Sequence, residues 1–401
     1  MISEVSHRKS IGKMKIYNHL FACAAIALVA GCGGDADDGS RELEKGRAAL
    51  GARDLPLAST LFAESARKNP TNFEARISLA LVSLELGEPR VADKAAREAV
   101  AIDPSSAEAR LVEGQTAYLA KDYARSKASF GMVADDGGLP AAIRSQALSS
   151  RAVAEFATDE TDAARISLLR ALRLDFRNAA AWYHLGVLSR GTYHFPAAAK
   201  DQFEMACRLD PNSSRTRETM RTIIPALRET LARIAADKPG ADKRNPGEAA
   251  RLIADGVSAQ KKKDIKTAGA CFAKAFAADP LSWEAAWHYA QTLQAVEEAK
   301  KPGDKTRLTP SDIVKKTLYA YRVALDAKPA SRETCISAAR FALQNRRPDE
   351  ACDFLSHALA HFPDPKHSKS VLELYVDALG RLGTADGKRR AAMYRAYCKE
   401  L

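Results

Sequence analysis

Nowhere in the 401 residues does strict apolar–polar alternation persist, and β-branched runs are few, which excludes a sheet-based fold. The short signatures of common catalytic sites are missing as well. There is no Gly-rich phosphate loop, no Cys-x-x-Cys pair, no Gly-x-Ser-x-Gly turn and no His-Glu-x-x-His, so the local machinery of those chemistries is absent. No catalytic residue, cofactor or metal is expected, and the protein is not expected to be an enzyme. Long apolar runs are also lacking. The apolar stretch at 20–30 has eleven residues, against the roughly 20 that a spanning helix needs.

What is present is a period. Gly256, Ala268, Phe272, Ala275 and Pro280 stand at successive offsets of 12, 4, 3 and 5 residues. Pro70 and Pro104 are 34 apart, as are Pro329 and Pro363, while Pro211 and Pro280 close further copies. The first copy reads Gly46, Ala58, Phe62, Pro70, and the fifth reads Trp182, Leu185, Gly186, Ala199, Phe203, Ala206, Pro211. Ala-rich segments with apolar residues at helical spacing make each copy a pair of helices. Small residues such as Gly256 and Ala268 let paired helices approach closely, Phe272 and Ala275 fill the seam, and Pro280 cannot continue its helix, so it sets the turn.

These residues resemble the tetratricopeptide repeat, a 34-residue helix-turn-helix unit, from about residue 40 to 363. The resemblance implies an all-α, right-handed α-solenoid of antiparallel helix pairs, which grows by stacking and has no single core to saturate. Eight repeats are counted in two blocks. The second has Ala96 where the aromatic is expected, the fourth has Phe176 in place of the proline, and the seventh carries an insertion at 296–310. The expected organisation is a leader at 1–31, a tether at 32–40 and five repeats plus a capping helix at 41–236. A linker at 237–247 and three repeats plus a terminal helix pair at 248–401 complete it. The linker is equally compatible with a hinge and with a short ordered turn. A kink is expected at Pro225 in the capping helix.

The amino terminus carries a second pattern. Arg8, Lys9, Lys13 and Lys15 precede the apolar stretch, which closes in Leu28-Val29-Ala30-Gly31-Cys32. This sequence resembles the lipobox of bacterial lipoproteins, and the resemblance implies lipidation at Cys32 and a polar tether after it. The alternative is an ordinary cleaved secretory signal, and translation from Met1 or from Met14 fits either. With Gly33 rather than aspartate after the cysteine, the resemblance points to an outer membrane, with the repeats facing the periplasm. Beyond the leader and Cys32, five cysteines remain, and Cys335 with Cys352, on the two helices of one repeat, either bridge or serve as small buried residues.

Formal net charge is +11, or +8 once residues 1–31 are set aside. Clusters at 261–263, 300–316 and 388–390 concentrate the excess in the second half, as solvated faces or as a contact for anionic lipid or glycan. Nucleic acid is not an expected partner. Asp353, His357 and His361, four residues apart on one helix stripe, are read as solvated residues of the outer face rather than metal ligands.

In the resembled repeats the first helix of each pair lines the groove. Carrying that phase over places Leu43, Ile77, Leu111, Ser149, Tyr183, Ile253, Trp287 and Ile336 at the fifth position. The ninth position takes Arg47, Leu81, Gln115, Val153, Val187, Val257, Gln291 and Arg340, and the twelfth includes Tyr118 and Phe156. The groove residues chosen from these are Tyr118, Phe156, Tyr183, Val187, Ile253, Trp287 and Gln291. Apolar residues there do not suit a clamp for a terminal carboxylate. They suit a protein or peptide with apolar anchors, unless they pack between neighbouring first helices instead. Two functions follow: a membrane-anchored scaffold in envelope assembly or secretion, or an accessory factor in envelope polysaccharide or peptidoglycan metabolism, for which Trp283 and Trp287 matter.

Overall fold

A computed structural model describes residues 38–238, 240–298 and 310–401. These residues form an α-solenoid of 19 helices in consecutive packed pairs, without a strand. The leader, Cys32 and most of the 296–310 insertion lie outside the described residues.

The helices are α1 (Ser40–Gly51), α2 (Leu55–Lys68), α3 (Phe73–Leu86), α4 (Pro89–Ile102), α5 (Ala107–Leu119), α6 (Tyr123–Asp135) and α7 (Ala141–Ala157). Next come α8 (Thr161–Leu174), α9 (Ala179–Gly191), α10 (Pro196–Leu209) and the long α11, which runs from Ser214–Glu218 through a π turn, Thr219–Ile223, into Ile224–Ala236. The remainder are α12 (Pro246–Lys261), α13 (Ile265–Ala278), α14 (Trp283–Glu298), α15 (Pro310–Ala327), α16 (Arg332–Gln344), α17 (Pro348–His361), α18 (Pro365–Arg381) and α19 (Ala385–Glu400). In α11 the π turn stands just before Pro225, at the place where a kink was expected; a wider turn there accommodates a residue that has no N–H to give.

Two kinds of turn set the period. Between the helices of a pair, Arg53, Lys121, Asp159, His194, Lys263 and Arg346 adopt φ between 54° and 64°, and Gly87 takes the same role at φ 75°. The left-handed residue ends one helix, and after Arg53, Lys121 and Lys263 an aspartate starts the next. Asp54, Asp122 and Asp264 each donate a backbone N–H to the finished helix, at Ala49, Ala117 and Ala259. Their carboxylates accept from the backbone N–H of Leu57, Arg125 and Thr267 at 3.0–3.2 Å. Between pairs, Asn69, Asp103, Asp175 and Asp279 accept from the backbone two residues on. Where proline follows, as at Pro70, Pro104 and Pro280, it lies just outside the helix.

The seam within a pair is set by glycine facing phenylalanine. A Cβ added at Gly46, Gly114, Gly186 or Gly256 would stand 2.5–2.9 Å from the ring of Phe62, Phe130, Phe203 or Phe272. All four rings are fully buried. The second repeat replaces both partners, with Ala80 and Ala96 buried in one cluster.

The chain forms two compact units that divide between Glu160 and Thr161, inside the fourth repeat and between its two helices. The first unit, α1 to α7, is a run of pairs in which each helix packs on its neighbours along the chain. The linker expected at 237–247 falls inside the second unit. There Lys238 pairs with Asp326, Arg244 grips both oxygens of Asp279 at 2.7 and 3.0 Å, and the Asn245 N–H donates to the Ala278 carbonyl at 2.8 Å.

The second unit turns back on itself. α19 packs on α8, and α17 meets α10; Ile166 and Leu169 of α8 share one apolar core with Tyr375, Tyr394 and Tyr397. All four of these contacting helices are second helices of their pairs, so the layer opposite the first helices is the one that closes. Asp162 accepts from Arg390 Nε at 2.7 Å and from the Tyr394 hydroxyl at 2.8 Å. Arg170 pairs with Glu400, and the Gln202 amide donates to the Ala360 carbonyl at 2.7 Å.

Candidate partner-binding site

In the first unit the fifth and ninth positions of the first helices are largely closed to solvent. Leu43, Ile77, Leu111, Gln115, Ser149 and Val153 are buried, because consecutive first helices touch directly and these side chains fill the seam between them. Arg47 is occupied with Glu44 and Glu74. The face open to a partner is the twelfth position. Leu50, Leu84 and Tyr118, 34 residues apart, and Phe156 are all half-buried, and Leu119 beside them is exposed. Tyr118 meets Tyr123 edge to face at 5.5 Å, which steadies its ring without covering it. Leu50 and Leu84 were not among the residues chosen from the sequence, although subtracting the period from Tyr118 points to both.

Outside that strip, at the second position of α5, the Glu108 carboxyl is raised above the usual range by partial desolvation and then by the neighbouring Glu74.

In the second unit the chosen residues other than Ile253 are engaged within the unit. Tyr183 and Val187 pack into the cluster between α9, α10 and α11; the Arg215 guanidinium lies 4.7 Å over the Tyr183 ring, and Phe203 meets it edge to face at 5.3 Å. The capping helix therefore lies against the side of α9 that was expected to face a partner. Trp287 stacks on Trp283 at 6.0 Å and meets the buried Tyr321 at 5.9 Å. The Gln291 amide donates to the Tyr321 hydroxyl at 2.8 Å. Trp283 lies under Lys328 Nζ at 4.0 Å and donates its indole N–H to Thr334 at 3.3 Å. Ile253 is half-buried on α12.

Of the stripe read as solvated, Asp353 is exposed, but the two histidines are not. The His361 side chain is 2 % exposed and its Nδ1 lies 4.0 Å from Asp201. The His357 ring meets Phe195 at 4.9 Å, and its Nε2 lies 3.0 Å from the Pro329 carbonyl oxygen. The outer-face assignment assumed that second helices face water, and here they face one another. Burial depresses both imidazoles, that of His361 to about 3. Among the described residues no three His, Cys, Asp or Glu side chains gather as metal ligands. Cys335 and Cys352 are free thiols, and burial pushes both up to about 12, which leaves them inert as nucleophiles.

Residues 43–89 and 78–130 match the tetratricopeptide repeat. That segment carries tetratricopeptide repeats. No curated protein sequence matches it. Similar solved structures include the MamA protein, at 15 % identity over 46 % of this chain and 95 % of that one, with a TM-score of 0.37. They also include pilF of Pseudomonas aeruginosa, at 17 % identity over 65 % of this chain and 97 % of that one, with a TM-score of 0.38. PilW, described as a widely conserved type IV pilus biogenesis factor, has 16 % identity over 62 % and 97 %, with a TM-score of 0.40. These likenesses bear on the fold alone.

Proposed function

We propose that the protein is a membrane-anchored, extracytoplasmic scaffold that holds a protein or peptide partner on the first helices of its amino-terminal repeats. The observation that carries this reading is the strip Leu50, Leu84, Tyr118 and Phe156, apolar side chains at one register position of four first helices, left half-exposed. A rigid row of aromatic and aliphatic groups at repeat spacing accepts apolar anchors from an extended or helical segment. The anchor is Cys32 in its lipobox-like setting, with the tether after it allowing the repeats to reach a partner away from the lipid surface. Gly33 supports an outer-membrane, periplasm-facing location.

The glycan reading drew on the basic second half and on Trp283 and Trp287, and the two indoles are engaged with each other, Lys328, Thr334 and Tyr321. The scaffold reading keeps Tyr118 and Phe156 half-exposed in the first unit, so it is preferred.

The test is capture from detergent-solubilised envelope with the full chain. Replacing Tyr118 and Phe156 together by serine is expected to abolish recovery of the crosslinked partner while leaving helical circular dichroism unchanged; undiminished recovery would sink the reading. For the anchor, Cys32→Ser is expected to remove incorporated acyl label and release the protein from the membrane fraction.

A further inference from the structure

Where the second unit closes on itself, one buried guanidinium is left without an ion pair or a hydrogen bond among the described residues. Asp162 is fully used: Oδ2 accepts from Arg390 Nε at 2.7 Å and Oδ1 from the Tyr394 hydroxyl at 2.8 Å. Arg390 also donates from Nη2 to the Tyr375 hydroxyl at 2.9 Å, which in turn accepts from Ser356 at 3.1 Å. One turn along α8 from Asp162 stands Arg165, only 3 % exposed. Both of its Nη atoms are shut off from solvent without a hydrogen-bond partner among the described residues. Arg390 thus meets two carboxylates, Asp162 and, at 3.8 Å, Asp386, while Arg165 is paired with none.

The contact Arg165 does make leaves its donors unspent. Its guanidinium carbon lies 3.7 Å from the centroid of the Tyr193 ring, so the ring covers the face of the guanidinium. The N–H groups lie in the guanidinium plane and point past the ring edge. The Tyr193 hydroxyl is likewise buried and without a partner. Tyr193 is delivered to this place by the α9–α10 turn, where the next residue, His194, takes φ 54°. Elsewhere in the chain half-buried arginines are paired, Arg76 with Glu98 and Arg244 with Asp279. A buried, permanently charged group with two idle donors is costly unless a counter-charge meets it.

We propose that an oxyanion, a carboxylate or phosphate group, completes this cluster, bound by both Nη atoms of Arg165 and by the Tyr193 hydroxyl. The planar fork matches two oxygens of such a group, the tyrosine supplies a third donor, and Arg390 adds a second positive charge. The three donor atoms are closed to solvent while Tyr193 and Arg390 are otherwise only partly buried, so the anion enters as the Tyr193 side chain moves aside. The site sits on α8, the α9–α10 turn and α19. Occupancy would tie α8, the turn and α19 together.

The experiment is isothermal titration calorimetry on the full chain in detergent, with sodium phosphate and sodium acetate as separate probes at constant ionic strength against chloride. Saturable one-to-one binding of one or both is expected, and which probe binds tighter distinguishes a phosphoryl from a carboxylate ligand. Tyr193→Phe removes one hydrogen bond to a charged group and is expected to weaken binding about ten-fold. Arg165→Met is expected to abolish it. Should Arg165→Met fail to fold, the wild-type titration and the Tyr193→Phe comparison decide alone. Absence of saturable binding with both probes, or unchanged affinity in Tyr193→Phe, would overturn the proposal.

Discussion

The two units use the same repeat and treat part of its outer layer differently. In the first, the second helices leave Leu57, Val91 and Met132 exposed. In the second, α13 and α15 do likewise with Ile265 and Tyr319, but α8 meets α19 and α10 meets α17, and His361 is nearly inaccessible. The repeat specifies how one helix packs on the next, through the Gly–Phe seam and the left-handed turn. It does not specify whether a stretch of repeats stays open or folds back, because that depends on side chains at non-repeating positions: Asp162, Gln202, His357, Arg390 and Tyr394.

The largest expected effect breaks the comparison at Asp162. Asp162→Ala leaves Arg390 and Tyr394 unpartnered beside Arg165, and removal of one member of a buried ionic network is expected to cost about 3 kcal/mol. Peptide-resolved hydrogen exchange should register that loss in α8 and α19 while protection in α1 to α6 stays as it was.

Acid should separate the units next. His184 and His361 are held at about 3, and His357 is lowered, in each case chiefly by burial. Folded, His184 and His361 stay neutral in this range; unfolded, they bind a proton below about pH 6.5. The unfolded chain therefore takes up more protons as pH falls, so the stabilisation is complete above about pH 6.5 and declines below it, by about 1.4 kcal/mol per pH unit for each neutral imidazole. Residues 38–160 contain no histidine. Between pH 6.5 and 5, urea melts followed by exchange should show the second unit weakening and the first holding steady.

The smallest effect sharpens what the units share. Gly114→Ala in the first and Gly256→Ala in the second both drive a methyl into a buried ring, and each should lose about 1–2 kcal/mol after the helix-propensity gain is counted. Gly51, with nothing within 4 Å of its added Cβ, is the control: Gly51→Ala should stabilise by up to about 1 kcal/mol. Unequal losses at Gly114 and Gly256 would mean that the seam itself differs between units.

What could be read from the sequence was whatever recurs. The helix pairs, the prolines outside the helices and the Gly256–Phe272 contact all follow from residues that return every 34 positions. The closure of the second unit was not legible, since Asp162 and Arg390 stand 228 residues apart and at unrelated repeat positions. That omission produced the misreading of His357 and His361 as solvated. The groove was legible in part: the phase led to Tyr118 and Phe156. It could not tell that fifth and ninth positions fill the seam between neighbouring first helices, nor that α11 would pack against Tyr183 and Val187.

The most direct test of the closed second unit is the exchange of α19 amides in the unmodified full chain. Docking onto α8 predicts that 385–400 is protected as strongly as α17, and that Asp162→Ala exposes α8 and α19 in parallel. An α19 that exchanges like a frayed chain end in the wild type, or that is indifferent to Asp162→Ala, would contradict the closure.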